Sequence, residues 1–331
     1  MMKRFLLILG SAALLAGCTK QTPPTSAPGA LKVALVTSGP VSDHGWNGLA
    51  HDAAQQLKKD TGAEVSEQEV KSEGEIEAAL RGFASRGYDI ILGHGNEYGE
   101  PAMRVAKDFP KSHFVITAGR VNAPNVTSLA YRLEDATYCL GVLAAGMSKT
   151  GRIACVGGKQ ISVVESTFNG LKAGVDSARP GTPVTFAYVD SWADTGAANR
   201  QTATLIGQGA DVIFHNADAA GIGMFQAVSD ANKAGKTVYA LGSNADQTAV
   251  APDVCLASAV LELGKTFEAV AQEVKANRFQ GIMRTLGMKE GYVDVIFNPA
   301  LKTKIPPAVL KKVEDAEKKI RSGALTVKQS A

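Results

Sequence analysis

Aromatic residues are scarce in this chain of 331, at 6%, and only two of them are tryptophan. Net charge is nearly absent as well, with 35 Lys and Arg against 32 Asp and Glu. A chain with no basic excess and no basic stripe does not suit nucleic acid as a partner. Cysteine is sparse, four residues in all, with no CxxC pair and no metal-ligand spacing. HxH and HExxH are missing, as are a P-loop and a GxSxG nucleophile elbow. The nearest glycine-rich candidate, GHGNEYG at Gly93 to Gly99, is one residue too long for a dinucleotide fingerprint, and Glu97 sits where pyrophosphate would approach. With no recognisable nucleophile, base, metal site or cofactor site, none of these chemistries is expected, and an enzyme is the minority reading.

Long apolar runs are also few, and the clearest one opens the chain. MMKRFLLILGSAALLAGC has a Lys3–Arg4 head, a short apolar stretch and then Leu15-Ala16-Gly17-Cys18. Residues 1–17 read as a secretory signal, too short for a stable membrane span. The LAGC ending resembles a bacterial lipobox, in which Cys18 becomes the lipid-bearing N-terminus; an ordinary signal with a chance Cys is the alternative. Residues 18–30, rich in Pro, Ser and Thr, read as a flexible tether. Removing Lys3 and Arg4 takes the 35 cationic residues to 33 against 32 acidic ones, essentially neutral. The remainder is long enough for two domains. Cys139, Cys155 and Cys255 each sit in an apolar context and read as buried, inert thiols. One disulfide with a Cys left over is the other option in an oxidising compartment.

From Leu31 onward short apolar runs alternate with helical patterns. KVALV, YDIILG, HFVITAG, RIACVGG, VTFAYV, DVIFHN and TVYALGS are bounded by Gly, Pro or Asp and suit strands buried on both faces. Between them, Ile76, Leu80 and Phe83 fall at helical spacing, and the stretches 165–178 and 199–208 read similarly. Alternating βα units predict an α/β fold with parallel sheets. Their number predicts two doubly wound, Rossmann-like lobes rather than one sheet.

In such sheets ligands bind beyond the carboxyl ends of the strands. Those ends carry Asp43, His44, Trp46 and Asn47; His94, Asn96 and Glu97; Trp192 and Asp194; His215 and Asp218; Asn244 and Asp246. Ring faces, amides and carboxylates together suit a flat, hydrogen-bonding small molecule held by stacking and edge contacts. Each has a plainer reading. Asp43 and Asp194 also suit helix N-caps, Trp46 suits a helix core, and His94 and His215 suit structural histidines.

Several segments resemble the basic membrane protein family, purine-nucleoside receptor type, of ABC-importer substrate-binding lipoproteins. They are YRLEDATYCLGVLAAGMSKTGRIACVGG (131–158), STFNGLKAGV (166–175), GADVIFHNADAAGIGMFQA (209–227) and GSNADQ (242–247). The likeness spans nearly the whole chain after the tether. It implies the type I periplasmic-binding fold: two lobes, three hinge strands and a ligand in the cleft. One lobe would hold residues 31–131 and 258–285, the other 132–257 and 286–331. Crossings would lie near 129–134, 256–260 and 284–288, with a helix over 262–277 returned to the first lobe. The resemblance implies that Trp46 stacks on a purine, that Asn47 reads its edge and that Phe225 contributes from the second lobe. It also implies a permease partner, a monomer and a lipid-anchored place at the cell membrane. Two positions depart from nucleoside-binding relatives: Asn244 and Leu261 stand where a ribose-holding carboxylate and ammonium are usual. The ligand would then be a purine base or nucleoside. A sugar or other small polar solute, a ligand-sensing adaptor and a nucleoside-acting enzyme using Asp43, Asp218 or His215 are the alternatives.

Overall fold

The computed structural model describes residues 30–43 and 45–328. The signal, Cys18, most of the tether and His44 lie outside the described residues. In chain order the first part runs β1 (Lys32–Thr37), α1 (Trp46–Thr61), β2 (Glu64–Glu69), α2 (Glu73–Ser85), β3 (Ile90–His94), α3 (Gly99–Ala106), β4 (His113–Thr117) and β5 (Val126–Tyr131). Then come α4 (Leu133–Met147), β6 (Ile153–Gly157), α5 (Ser162–Ala178), β7 (Val184–Tyr188), α6 (Thr195–Gly207), β8 (Val212–Asn216), α7 (Gly221–Lys233), β9 (Tyr239–Asn244) and β10 (Cys255–Leu261). The chain closes with α8 (Leu263–Lys275), β11 (Met283–Leu286), β12 (Val293–Phe297) and α9 (Pro307–Arg321).

Two six-stranded sheets result, ordered β11-β5-β4-β3-β1-β2 and β12-β10-β9-β8-β6-β7. The two halves thus repeat one winding order, although no sequence repeat is visible. All pairs are parallel except β10 with β12. This is the doubly wound α/β architecture in two lobes. The inner strands β3, β6, β8 and β10 are buried at every residue, as continuous apolar runs demand. The edge strand β2, EVSEQE, is polar because it packs on one face only, and its charges guard the open edge.

Helices cover both faces of each sheet. In the first lobe α1 and α8 lie together on one face, α2 and α3 on the other. In the second, α4, α5 and α9 share one face, α6 and α7 the other. The α4 and α5 helices meet backbone to backbone. A Cβ at Gly141 would drive into the Leu171 carbonyl, and one at Gly174 into that of Tyr138. The Tyr138-x-x-Gly141 segment is therefore a packing contact.

The backbone passes between the sheets three times: from β5 into α4, from β10 into α8, and from β11 to β12. Arg132 N–H donates to the Leu286 carbonyl at 2.9 Å, and Glu262 N–H to that of Tyr292 at 3.0 Å, so the crossings are tied side by side. The second crossing lies later than the sequence suggests. Residues through Leu261 stay in the second sheet, because β10 pairs with β9 as far as Val260 and with β12 as far as Leu261.

Candidate functional site

The strand ends of both lobes face one cleft of about 890 Å³. Its first-lobe wall begins at the N-terminus of α1. Asp43, buried, accepts hydrogen bonds from the N–H groups of Gly45 (2.9 Å), Asn47 (2.9 Å) and Gly48 (2.8 Å). Its carboxylate also accepts from Asn47 Nδ2 at 2.8 Å. Asp43 thus satisfies the open donors of the helix start, as an N-terminal carboxylate should. It also fixes the Asn47 amide: with Nδ2 committed, Oδ1 is left buried and without a partner among the described residues. Asp43 both lines the cleft and caps the helix start.

Trp46 is half-buried and lines the cleft. Its ring stacks on His94 with centroids 4.0 Å apart and planes 25° apart. His94 Nε2 lies 2.9 Å from the Trp46 carbonyl, and Nδ1 lies 2.9 Å from Thr117 Oγ1. Burial pulls the His94 pKa down to about 4, against the Trp46 carbonyl and the Asp43 charge, which raise it. The imidazole is neutral, so Nε2 donates to the carbonyl and Nδ1 accepts from the threonine hydroxyl. His94 is thus the fixed backing of the indole. Beside it, Asn96 and Glu97 stand exposed at the rim, and Ser38 Oγ donates to Glu97 Oε1 at 2.6 Å.

The second-lobe wall carries Asp218, Asn244, Asn216 and Trp192. Asp218 and Asn244 adopt left-handed backbone, φ 47° and 66°, as does Ala118 on the opposite wall at 54°. Three of the five such non-glycine residues therefore line this cleft, the kind of place where strain collects. The Asp218 carboxyl reaches across to the Trp46 N–H. It also receives Asn244 Nδ2 at 3.4 Å, and Asn244 Nδ2 lies equally far from Asn216 Oδ1. Burial, then the Asp43 charge, push the Asp218 pKa up to about 7, against the Trp46 N–H and the Asn244 amide. Trp192 is half-buried, its ring pressed on Gly158, where a Cβ would collide with it.

Of the residues picked from sequence, Asp43, Trp46, Asn47, Asn96, Glu97, Trp192, Asp218 and Asn244 share this cleft. Phe225 does not. It lies 5% exposed in the second lobe's core, edge-on to His215 at 5.0 Å, because its neighbours on α7, Met224 and Val228, put it on the buried face. Asp246 is exposed outside the cleft and accepts from the Thr248 N–H at 3.0 Å. Asp194 caps α6 through the Ala197 N–H at 2.8 Å. His215 is buried, hydrogen-bonded through Nε2 to Gln247 Oε1 at 2.6 Å. Sequence reasoning missed the first turns of α4 and α5, where Leu133, Glu134, Val163 and Ser166 line the cleft. Their lining side chains mix apolar residues with Glu134, Ser162 and Ser166, and they sit on helix turns rather than directly at the strand ends.

The fold matches that of a solute-binding protein of an ABC transporter system from Aeropyrum pernix K1, at TM-score 0.81 and 21% identity, over 91% of this chain and 94% of that one. In sequence the chain is 30% identical to a purine-binding protein of Brucella abortus (strain 2308), over 89% of this chain and 82% of that one. It is 28% identical to the ABC transporter nucleoside-binding protein BmpA of Lactococcus lactis subsp. cremoris (strain MG1363), over 97% and 96%. The family model for PnrA-like ABC transporter substrate-binding proteins matches residues 30–331, and the chain belongs to that family, Bmp.

Proposed function

We propose that this chain is a lipid-anchored receptor of an ABC importer that captures a purine base or nucleoside by closing its two lobes, without chemical change to the ligand. The observation that carries the reading is the pairing, within one cleft, of the His94-backed Trp46 ring and the partnerless Asn47 Oδ1 with Asp218 from the opposite lobe. A purine offers what these groups complement: a flat face for the indole and edge donors for an amide oxygen. A ligand that touches both walls binds the closed form better than the open one, and so shifts the population toward it. The closed form is what a permease would recognise. The receptor acts as a monomer, with no nucleic acid involved.

Asn244 and Leu261 bear no charge for a ribose. A neutral hydrogen bond is roughly half as strong as a charge-assisted one, and a sugar hydroxyl buried unpaired against Leu261 costs about 1–3 kcal/mol. A free base therefore binds at least as tightly as its nucleoside. Calorimetric titration of ligand-stripped protein with adenine, guanine, adenosine and guanosine tests this. Nucleosides binding tenfold tighter than either base would overturn the preference for base, and no heat from any of the four would overturn the purine reading.

A further inference from the structure

We infer that the cleft contains a second, apolar subsite, built by Leu133, Val163, Val164, Leu261 and Met283, which takes an apolar substituent carried on the base; this rests on the purine reading above. The five residues line the same cleft as Trp46. Three of them form its floor: Leu133, Val164 and Leu261 are 6%, 1% and 5% exposed. The other two stand open at its rim, Val163 at 47% and Met283 at 53%. Among the described residues eight large apolar side chains are exposed at 36% or more, and three of them, Ile161, Val163 and Met283, line this one opening. Apolar surface gathered in a concave site marks a place where apolar ligand is received.

The fold makes these residues neighbours. Leu133 opens α4 directly after the first crossing, and β5 pairs there with β11, Tyr131 opposite Leu286 and Ser128 opposite Met283. The α5 helix lies on α4 with Gly170 against Glu134, which sets Val163 and Val164 beyond Leu133. Leu261 ends β10 at the second crossing. Glu134, next to Leu133 on α4, faces Arg132 at 3.4 Å. The one cationic side chain along the described cleft wall is Arg120, exposed on the turn after β4. A cleft of about 890 Å³ also falls high in the range of ~300–1,000 Å³ that encloses drug-sized ligands, more than a bare base fills.

The test is calorimetric titration of the stripped protein with adenine, 6-benzylaminopurine and 9-benzyladenine, since the point of attachment on the ring is open. The better benzyl compound should bind at least threefold tighter than adenine. In the rim variant Val163→Thr/Met283→Gln, whose positions are exposed and leave the core intact, that advantage should fall below threefold while adenine binds as before. Adenine binding with less than a threefold benzyl advantage would overturn the inference and leave the purine reading standing. An advantage that survives the rim variant would also overturn it, because the substituent would then lie elsewhere. Silence from all three compounds would remove both readings.

Discussion

At the scale of single residues, the cleft is a set of fixed partners around the half-buried Trp46 ring and the buried, partnerless Asn47 Oδ1. Trp46→Ala should weaken purine binding by about 1–3 kcal/mol, the usual worth of base–aromatic stacking. The half-buried indole should cost the unliganded protein less than the ~3–5 kcal/mol lost when a core aromatic is truncated. Paired calorimetry and denaturant unfolding check this, and a large stability loss with unchanged affinity would return Trp46 to the core. Asp218 predicts a pH effect. With the lobes as they stand its carboxyl titrates near 7, raised by burial and by Asp43; an opening that exposed it would return it toward the ordinary carboxylate range. A group whose pKa is raised in the closed form favours closure in full below its open-form pKa, and that contribution is lost as pH rises through about 7. Affinity for a neutral base should therefore fall between about pH 5 and pH 8, and Asp218→Asn should flatten the profile. A flat profile in the native protein would remove Asp218 from the closing contact. Strand-end reading found Trp46, Asn47, Asp218 and Asn244 because polar residues after buried strands stand out. Phe225 was taken from the family likeness, against the helical spacing of Met224, Phe225 and Val228 that marks it as core.

At the scale of elements, burial decided what was legible. Strands buried on both faces read as unbroken apolar runs, so KVALV, RIACVGG and DVIFHN announce β1, β6 and β8. The polar edge strand β2 and the half-exposed β12, VDVIF, lack that signature. The second crossing was set a few residues early because CLASAVL is apolar throughout and no Gly or Pro marks where β10 stops. Gly141 and Gly174 carried a message the sequence left unread. They look like family markers, and the structure makes them the contact between α4 and α5. Gly141→Ala would push a methyl into the Leu171 carbonyl, and backbone cannot swing aside as a flexible side chain can. The cost should sit at the upper end of the ~1–3 kcal/mol typical of overpacking, against a gain of under about 1 kcal/mol from better helix propensity. Denaturant unfolding of Gly141→Ala and Gly174→Ala measures it. No loss in either variant would mean that the helices slide apart freely, and the fixed setting of α4 against α5 would need another cause.

At the scale of the whole molecule, the question is what holds the receptor where a ligand can be handed on. Among the described residues no helix is long and apolar enough to cross a membrane. The described fold begins just before β1, and Cys18 precedes it by a dozen residues of the proposed tether. In chain order the first of the three crossings, from β5 into α4, comes about a hundred residues after the start of the described fold. Attachment and folding are then separable, and that separation is testable. Cys18→Ser, expressed with its leader, should leave the membrane fraction and appear in the soluble extract. Its thermal unfolding and its affinity for a base should match those of the native protein. Membrane association unchanged by the substitution would sink the lipid anchor and point to the signal segment itself as the tie. Release together with lost binding would mean instead that the tether takes part in the fold.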